Sequence, residues 1–519
     1  MKVLALVSGQ KWLGGLTIHT ALLCRELERL GHRVAVVSIG EDAVVDLFPH
    51  ERTRYGPLAQ LWRNGLGGKG EREREYVFRY EVVADAAKYL PPGRPAVRRA
   101  LAPVARLGMA VMAPEPDSSR APLQQARSKA ARLARGLTAA LDAGLSGGAA
   151  EAPFLNRLLL HTDEEDLRRI EEIRRWFKPD VEYACDLALV PMMARLEDVG
   201  VPLVAAAQGF EIVQRRGVGV QDALQDARHR LDLVLSGSQA NIDENLSQIP
   251  LFARGDVPAR AIPYGVALDG GWDMPRAAAL ERVRDLERHL SPDQRGAGGL
   301  WGRGLEPAGR AGGLWEATEG QRPFVVTYFS RIDVEKGPDL ALHALSVLRQ
   351  QGVSARLWIA GNAMPGSAYL EVLRQKIRLL DLTDRVSLIG TLREQQDKIA
   401  LLRASDAFAA VFIRSEPFGL VLTEAFATEL PAVVPATGAA PELMRYVGDT
   451  STLYPANDTG ALAAALRALS ESPARRAALA QRERWAFLTR FNATEMARAT
   501  AAEFEWAIKE RAGRLHAPK

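Results

Sequence analysis

Ahead of Glu41 the chain reads "KVLALVSG", then "LTIHTALLCRELERLG", then "HRVAVVSIG": an apolar run, a helical repeat and a second apolar run. This alternation constrains the fold more than any other feature. An apolar run without polar alternation suits a parallel strand buried on both faces. Parallel neighbours cannot be joined by a tight hairpin, and the intervening helix supplies the crossover they need. Leu22, Leu27 and Leu30 are spaced to face a core, and Gly31 stops the helix. The unit is the opening of a doubly wound α/β domain.

The pattern lapses from about 41 to 160 and then returns. "DEEDLRRIEEIRRWFKPDVEYA" predicts a helix and, after Pro179, a strand; "VPLVAAAQG", "LDLVLSGS" and "ARAIPYGVALDG" predict three more. The Gly-rich stretch "DQRGAGGLWGRGLEPAGRAGGLWEATEGQRP" reads as a flexible loop or linker. Beyond it "PFVVTYFSRID", "ARLWIAGN", "RVSLIG", "DAFAAVFI" and "PAVVPATG" predict a second set of strands with helices between them. The expected organisation is a first Rossmann-like domain over 1–284, with a helical basic insertion over 41–160. A linker over 285–322, a second Rossmann-like domain over 323–485 and a C-terminal helix over 486–519, packing back on the first domain, complete it. Two such sheets would place a cleft between the carboxyl ends of their strands, where ligands bind in this architecture.

Composition excludes several classes. With 47% hydrophobic and 25% charged residues, a chain of 519 residues buries a large core and is not a disordered one. Two cysteines, Cys24 and Cys185, build no disulfide framework and suit a reducing compartment. The N-terminal apolar run stops at Ser8, short of a signal peptide, and no stretch reaches the ~18 apolar residues of a membrane span. A cytoplasmic protein is expected, and a net charge of +4 does not call for nucleic acid. Arg94, Arg98, Arg99, Arg106, Arg120, Arg127, Lys129, Arg132 and Arg135 nevertheless crowd one segment, with Leu101, Val104, Leu107 and Val111 at helical spacing among them. The preferred reading is a helical lid with solvated arginines. The alternative is peripheral contact of 94–141 with the inner face of a membrane.

The chemistry concentrates in "SEPFGLVLTE", Ser415 to Glu424, where two carboxylates enter an apolar region. A buried charge is costly unless paired. A strand precedes this stretch and "LVLTEAFA" is a helix, so Ser415 to Phe418 form the turn between them. Pro417 keeps Glu416 out of the helical region, and Gly419 lets a ligand approach the backbone. The first helical amides lack internal partners and form an anion site. Glu416 at the loop tip and Glu424 inside the helix flank that site. Carboxylates accept hydroxyl hydrogens, so a phosphate between two hydroxyl-rich rings fits: a nucleoside diphosphate sugar. Taken alone, the pair is better read as a plain turn, with one acid near a helix dipole and one ordinary helix glutamate. A second cluster, "SRIDVEKGPDL", carries Arg331 and Lys336 after a predicted strand, a guanidinium and an ammonium that together suit a diphosphate. Singly they are ordinary surface bases. Gly14 and Gly15 lie between the first strand and helix, but the three-glycine dinucleotide fingerprint is not there, which argues against a nicotinamide enzyme. Glu442 begins a further helix, either as a ligand contact or as a plain helix-start acid. His19 reads as a surface or core histidine rather than a catalytic one.

Together these segments resemble the retaining glycosyltransferases of family 4, which have the two-domain GT-B fold. "SEPFGLVLTEAFATELPAVVPATGAAPEL" is similar to that family's two-glutamate motif, "SRIDVEKG" to its Arg…Lys-Gly motif and "LGGLTIHTALLCRELERLGHRVAVV" to its glycine loop and first helix. "VLSGSQA" and "AIPYGVALD" resemble its motifs at the end of the first domain. The resemblance implies that Arg331 and Lys336 hold the donor diphosphate and stabilise the leaving group. It implies that Glu416 binds the donor sugar and steadies charge at its anomeric carbon, and that Glu424 binds the ribose hydroxyls. Phe418, Gly419 and Leu420 would contact the donor, Gly15 would approach its diphosphate, and Gly361 would help wall the base. Gly14 and Gln208 would face the sugar or acceptor. No cofactor and no metal is implied, the donor is expected to be uridine-linked, and the acceptor is a small-molecule or lipid-linked hydroxyl. Retention would proceed by front-face attack, with the leaving phosphate taking the acceptor proton. Three positions depart from the pattern. Gln208-Gly209 stands where relatives have His-Gly or His-Asp, and an amide cannot act as a base. Glu429 and Ser330 stand where glycine is common, and Glu429 is expected to be structural. A nucleotide-sugar-binding protein without transferase activity, or an epimerase on the same fold, is the alternative function.

Overall fold

A computed structural model describes residues 1–8, 15–39, 164–208, 220–291, 294, 300, 322–363, 368–392 and 394–516. The basic insertion expected over 41–160, its membrane-facing alternative and Gly14 lie outside the described residues. The chain divides into two compact units. One comprises Met1–Leu235, Asn245–Arg260 and Ala501–Lys519; the other comprises Ser236–Glu244 and Ala261–Thr500.

The first unit is built on a six-stranded sheet: β1 (Lys2–Ser8), β2 (Arg33–Ile39), β3 (Val181–Ala184), β4 (Leu203–Ala207), β5 (Leu231–Ser236) and β6 (Ala259–Ala261), in the order β2-β1-β3-β4-β5-β6. The β1 pairings with β2 and β3, and that of β3 with β4, are parallel. Val3, Leu4, Ala5 and Leu6 are fully buried, as an apolar run between two helical layers must be. Charged side chains also enter this interior. Glu182 on β3 accepts from Arg174 at 2.5 Å and from Arg230 at 2.7 Å. Burial nevertheless raises its carboxyl above the ordinary range, the two guanidiniums opposing that shift. The helix Ala493–His516 closes this unit. Its Arg514 reaches Asp232 at 2.5 Å, its Arg511 pairs with Asp198 and Asp232, and its Phe504 packs on Tyr183.

The second unit contains β7 (Phe324–Phe329), β8 (Ala355–Ala360), β9 (Val386–Gly390), β10 (Ala407–Ala409), β11 (Ala432–Pro435) and β12 (Leu453–Tyr454), ordered β12-β11-β10-β7-β8-β9 and parallel throughout. The two-residue strand β12 carries too few residues for a periodicity and was not expected from the sequence. Asp406, just before β10, gathers Arg276 at 2.9 Å, Arg322 at 2.5 Å and the Val325 amide at 2.9 Å. That node fixes the helix Arg276–His289, whose Ala279 and Val283 pack into one core with Val325 and Trp358. The order of strands matters for function. From β7 the chain builds outward through β8 and β9, then returns to the other side of β7 with β10. The carboxyl ends of β7 and β10 are therefore the topological switch point, where a doubly wound sheet opens a crevice.

Candidate functional site

Two turns meet at that switch point. The first follows β7. Asp333 caps a short turn, Val334–Lys336, by accepting from the Lys336 amide at 3.0 Å. Gly337 then takes a left-handed conformation, φ +58°, and Pro338 starts the next helix. From beneath, the hydroxyl of buried Tyr328 lies 3.1 Å from the Arg331 carbonyl and 3.2 Å from the Lys336 carbonyl, donating to this pair. Burial pushes that hydroxyl well above its usual range, so it stays a donor. Arg331 is largely exposed and pairs with Asp333 at 2.7 Å.

The second turn follows β10. Ser415 donates to Glu244 at 2.5 Å, and the Pro417 carbonyl accepts from Ser238 at 2.6 Å. The Glu416 carbonyl accepts from the Ala439 amide at 3.1 Å. Phe418 is buried and stacks near Tyr264 and Phe491, centroids 5.0 and 6.3 Å away. Its side chain is thus an anchor of the turn, and only its backbone is available to a ligand. Gly419, φ +85°, is the N-cap of the helix Leu420–Ala427. That left-handed geometry is open to glycine and strained for other residues.

The two turns join through their charges. Lys336 donates to Glu416 Oε2, both side chains being about one-fifth exposed, and the ammonium lies 5.8 Å from the Phe412 ring. Glu424 is nearly buried and accepts from Lys398 at 2.6 Å. Gly361, φ +145°, sits where a Cβ would stand 1.6 Å from the Ser330 carbonyl oxygen, so close approach of β7 and β8 backbones already requires glycine there. A cavity of about 630 Å³ borders the second turn, with Asp243, Glu244, Thr437, Gly438, Glu442 and Arg445 in its lining.

Other expected residues serve the framework. Glu442 accepts from the Ala240 amide at 3.1 Å, securing the helix Gln239–Glu244. Glu429 lies beyond the helix end at φ +55° and pairs with Arg403 at 3.0 Å. Gln208 donates its side-chain amide to the Cys185 carbonyl at 3.3 Å. His19 is buried, and burial drives its imidazole down to about 3. Gly15 opens the helix Gly15–Arg29. Sequence reasoning did not single out Tyr328, Gly438 or Lys398. Tyr328 alternates into a strand like any core aromatic, and the other two act through partners distant in sequence. Among the described residues no group of three His, Cys, Asp or Glu side chains could hold a metal ion, and no helix is long and apolar enough to cross a membrane.

Residues 315–485 match the family model of glycosyl transferases group 1. The D-inositol 3-phosphate glycosyltransferase of Rhodococcus opacus (strain B4) is 35% identical over 163 residues, which are 31% of this chain and 36% of that protein. The GDP-mannose-dependent alpha-(1-6)-phosphatidylinositol monomannoside mannosyltransferase of Mycolicibacterium smegmatis is 32% identical over 170 residues, 31% of this chain and 42% of that protein. The chain therefore spans well under half the length of these curated relatives. The crystal structure of Anabaena HepE in complex with UDP superposes with a TM-score of 0.60 at 17% identity, covering 98% of this chain and 100% of that one. At such identity the likeness is one of fold. The chain thus carries a glycosyl transferases group 1 domain on a GT-B fold.

Proposed function

We propose that the protein is a retaining, metal-independent glycosyltransferase that moves a sugar from a nucleoside diphosphate donor to an acceptor hydroxyl. The observation that carries this reading is the Lys336–Glu416 pair at the switch point of the second sheet, beside the helix that starts at Leu420. A cation, unpaired helix amides and a carboxylate in one crevice suit a diphosphate joined to a sugar. An incoming diphosphate takes Lys336 as its partner and frees Glu416 to accept from sugar hydroxyls. Arg331, exposed and paired with Asp333, turns to the same phosphates. As the glycosidic bond breaks, these cations and the Leu420 amide neutralise the charge growing on the leaving phosphate. Glu416 faces the opposite charge at the anomeric carbon. The leaving phosphate oxygen then takes the acceptor proton. Gln208 has no basic nitrogen, so no step passes through it.

A uridine-linked donor is favoured by the UDP complex of the structural neighbour. The GDP-mannose named for one relative makes guanosine the comparison. The test is release of UDP or GDP from a panel of donor sugars, with the anomeric configuration of the product read by NMR. Lys336→Ala and Glu416→Gln are each expected to lower kcat/KM by roughly 10²–10³-fold, as for lost transition-state stabilisers. Chelation is expected to leave turnover unchanged. Full activity in both variants would refute the site.

A further inference from the structure

Lys398 belongs to no motif named above. It lies in the helix Gln395–Ala404, and its ammonium donates to Glu424 Oε1 at 2.6 Å. The ammonium also stands 6.0 Å from the Trp272 ring centroid and 5.8 Å from that of Phe329. The Lys398 and Glu424 side chains are 18% and 8% exposed. Phe329 ends β7 and Glu424 lies in the helix that follows β10, so the pair borders the switch point that holds Lys336 and Glu416.

A largely buried ion pair contributes little as mere packing, because apolar side chains of similar volume join two helices as well or better. Among the described residues Glu424 is engaged through only one of its two carboxylate oxygens. Among the described residues its Oε2 receives no hydrogen bond, while Oε1 is held by Lys398. A carboxylate clamped through one oxygen has lost its rotational freedom before any ligand arrives. Pre-orientation of this kind lowers the ordering cost of binding.

We infer that Lys398 is a positioning residue for ribose recognition, holding Glu424 so that its second oxygen faces a nucleotide ribose hydroxyl. The inference rests on the reading of Glu424 as the acceptor from the ribose. It assigns sugar discrimination to a two-residue unit, Lys398 with Glu424, whose ammonium lies 6.0 Å from the Trp272 ring centroid and 5.8 Å from that of Phe329. Removing Lys398 leaves a nearly buried carboxylate without its cation, free to turn away from the ribose.

The experiment compares UDP with 2′-deoxy-UDP and 3′-deoxy-UDP by titration calorimetry. Wild type, Lys398→Met, Lys398→Arg and Glu424→Gln are each measured, with a thermal melt of every protein. Methionine keeps an unbranched side chain of nearly the same length beside the two rings, and arginine keeps a donor. Wild type should prefer UDP over at least one deoxy analogue by about tenfold or more, the size of one hydrogen bond to a charged acceptor. Lys398→Met should reduce that preference at least about fivefold with little change in affinity for the analogue, and Lys398→Arg should restore most of it. If Glu424→Gln keeps the full preference, or wild type shows none, the ribose reading of Glu424 fails. If Glu424→Gln loses the preference while Lys398→Met retains it, the ribose reading stands and the positioning role of Lys398 is wrong. Equal loss of all three ligands in both Lys398 variants would also overturn the role, reducing the pair to packing.

Discussion

Gly438 carries no side chain, yet it governs where Glu416 sits. It has φ +58°, and a Cβ there would stand 2.5 Å from the Glu416 carbonyl oxygen and 2.7 Å from its amide nitrogen. Gly438→Ala must therefore push the Glu416 backbone aside. Turnover should fall about 10–100-fold, since small misplacements of a reacting group are expensive. The melting temperature should drop by less than about 8 °C, the scale of one to two kcal/mol in a unit of this size. Equal turnover in the two proteins would show that Glu416 does not need this placement. Glu483 makes a different residue-scale prediction. It is fully buried and accepts from the Ala432 amide at 3.0 Å. Burial pushes its carboxyl well above the usual range, Asp449 adds to that shift, and the Ala432 hydrogen bond opposes it. The folded state holds a proton that the unfolded chain gives up. Its stabilising contribution is complete below the unfolded value of about 4.3 and is lost as pH rises toward the folded value. Urea melts between pH 5 and 8 should show a downward slope in wild type that is shallower in Glu483→Gln. Identical slopes would rule this residue out as the source. Neither behaviour was legible in the sequence, because both depend on contacts made by residues distant along the chain.

At the scale of elements, the sequence was read well wherever an element carries its own signal. Strands β1 to β5 and β7 to β9 are apolar runs, and their burial on both faces follows directly. The turn after β7 is equally local: Asp333, Gly337 and Pro338 each have one conformational task within five residues of Lys336. The sequence predicts a C-terminal helix packing back on the first domain, but not which charges hold the helix Ala493–His516 there. Arg511 is 9% exposed at its side chain and shares Asp232, which is 1% exposed, with Arg514. Arg511→Ala leaves that buried carboxylate with one cation fewer and should cost about 3 kcal/mol in urea unfolding. A loss under about 1 kcal/mol would mean that the pair behaves as a screened surface bridge. Helix Arg276–His289 teaches the same lesson. Its residues look like an ordinary amphipathic segment near an expected boundary at 284, while Arg276 and the Asp406 node tie it into the second unit.

At the scale of the whole molecule, two compact units mean that unfolding need not be a single two-state event. A donor nucleotide present at about 100 times its Kd should add about 2.7 kcal/mol to the state that binds it. A thermal scan with UDP, and with GDP for comparison, should therefore raise a melting temperature in wild type and not in Lys336→Ala. A shift of equal size in that variant would place the nucleotide elsewhere. Vesicle flotation addresses the basic segment 94–141: the solvated-lid reading expects its deletion to leave recovery with anionic vesicles unchanged, and a salt-sensitive loss would favour the membrane reading. The amino-acid order alone determined the α/β class, the two sets of strands and the residue types of the candidate site, because apolar period, turn chemistry and charge are local properties. Only the tertiary structure decided which charges meet. Lys336 reaches Glu416 across 80 residues of sequence, and Lys398 reaches Glu424 from a separate helix. The switch in strand order around β7 brings those ends together, and strand order is set by how whole strands and helices bury one another rather than by any single segment.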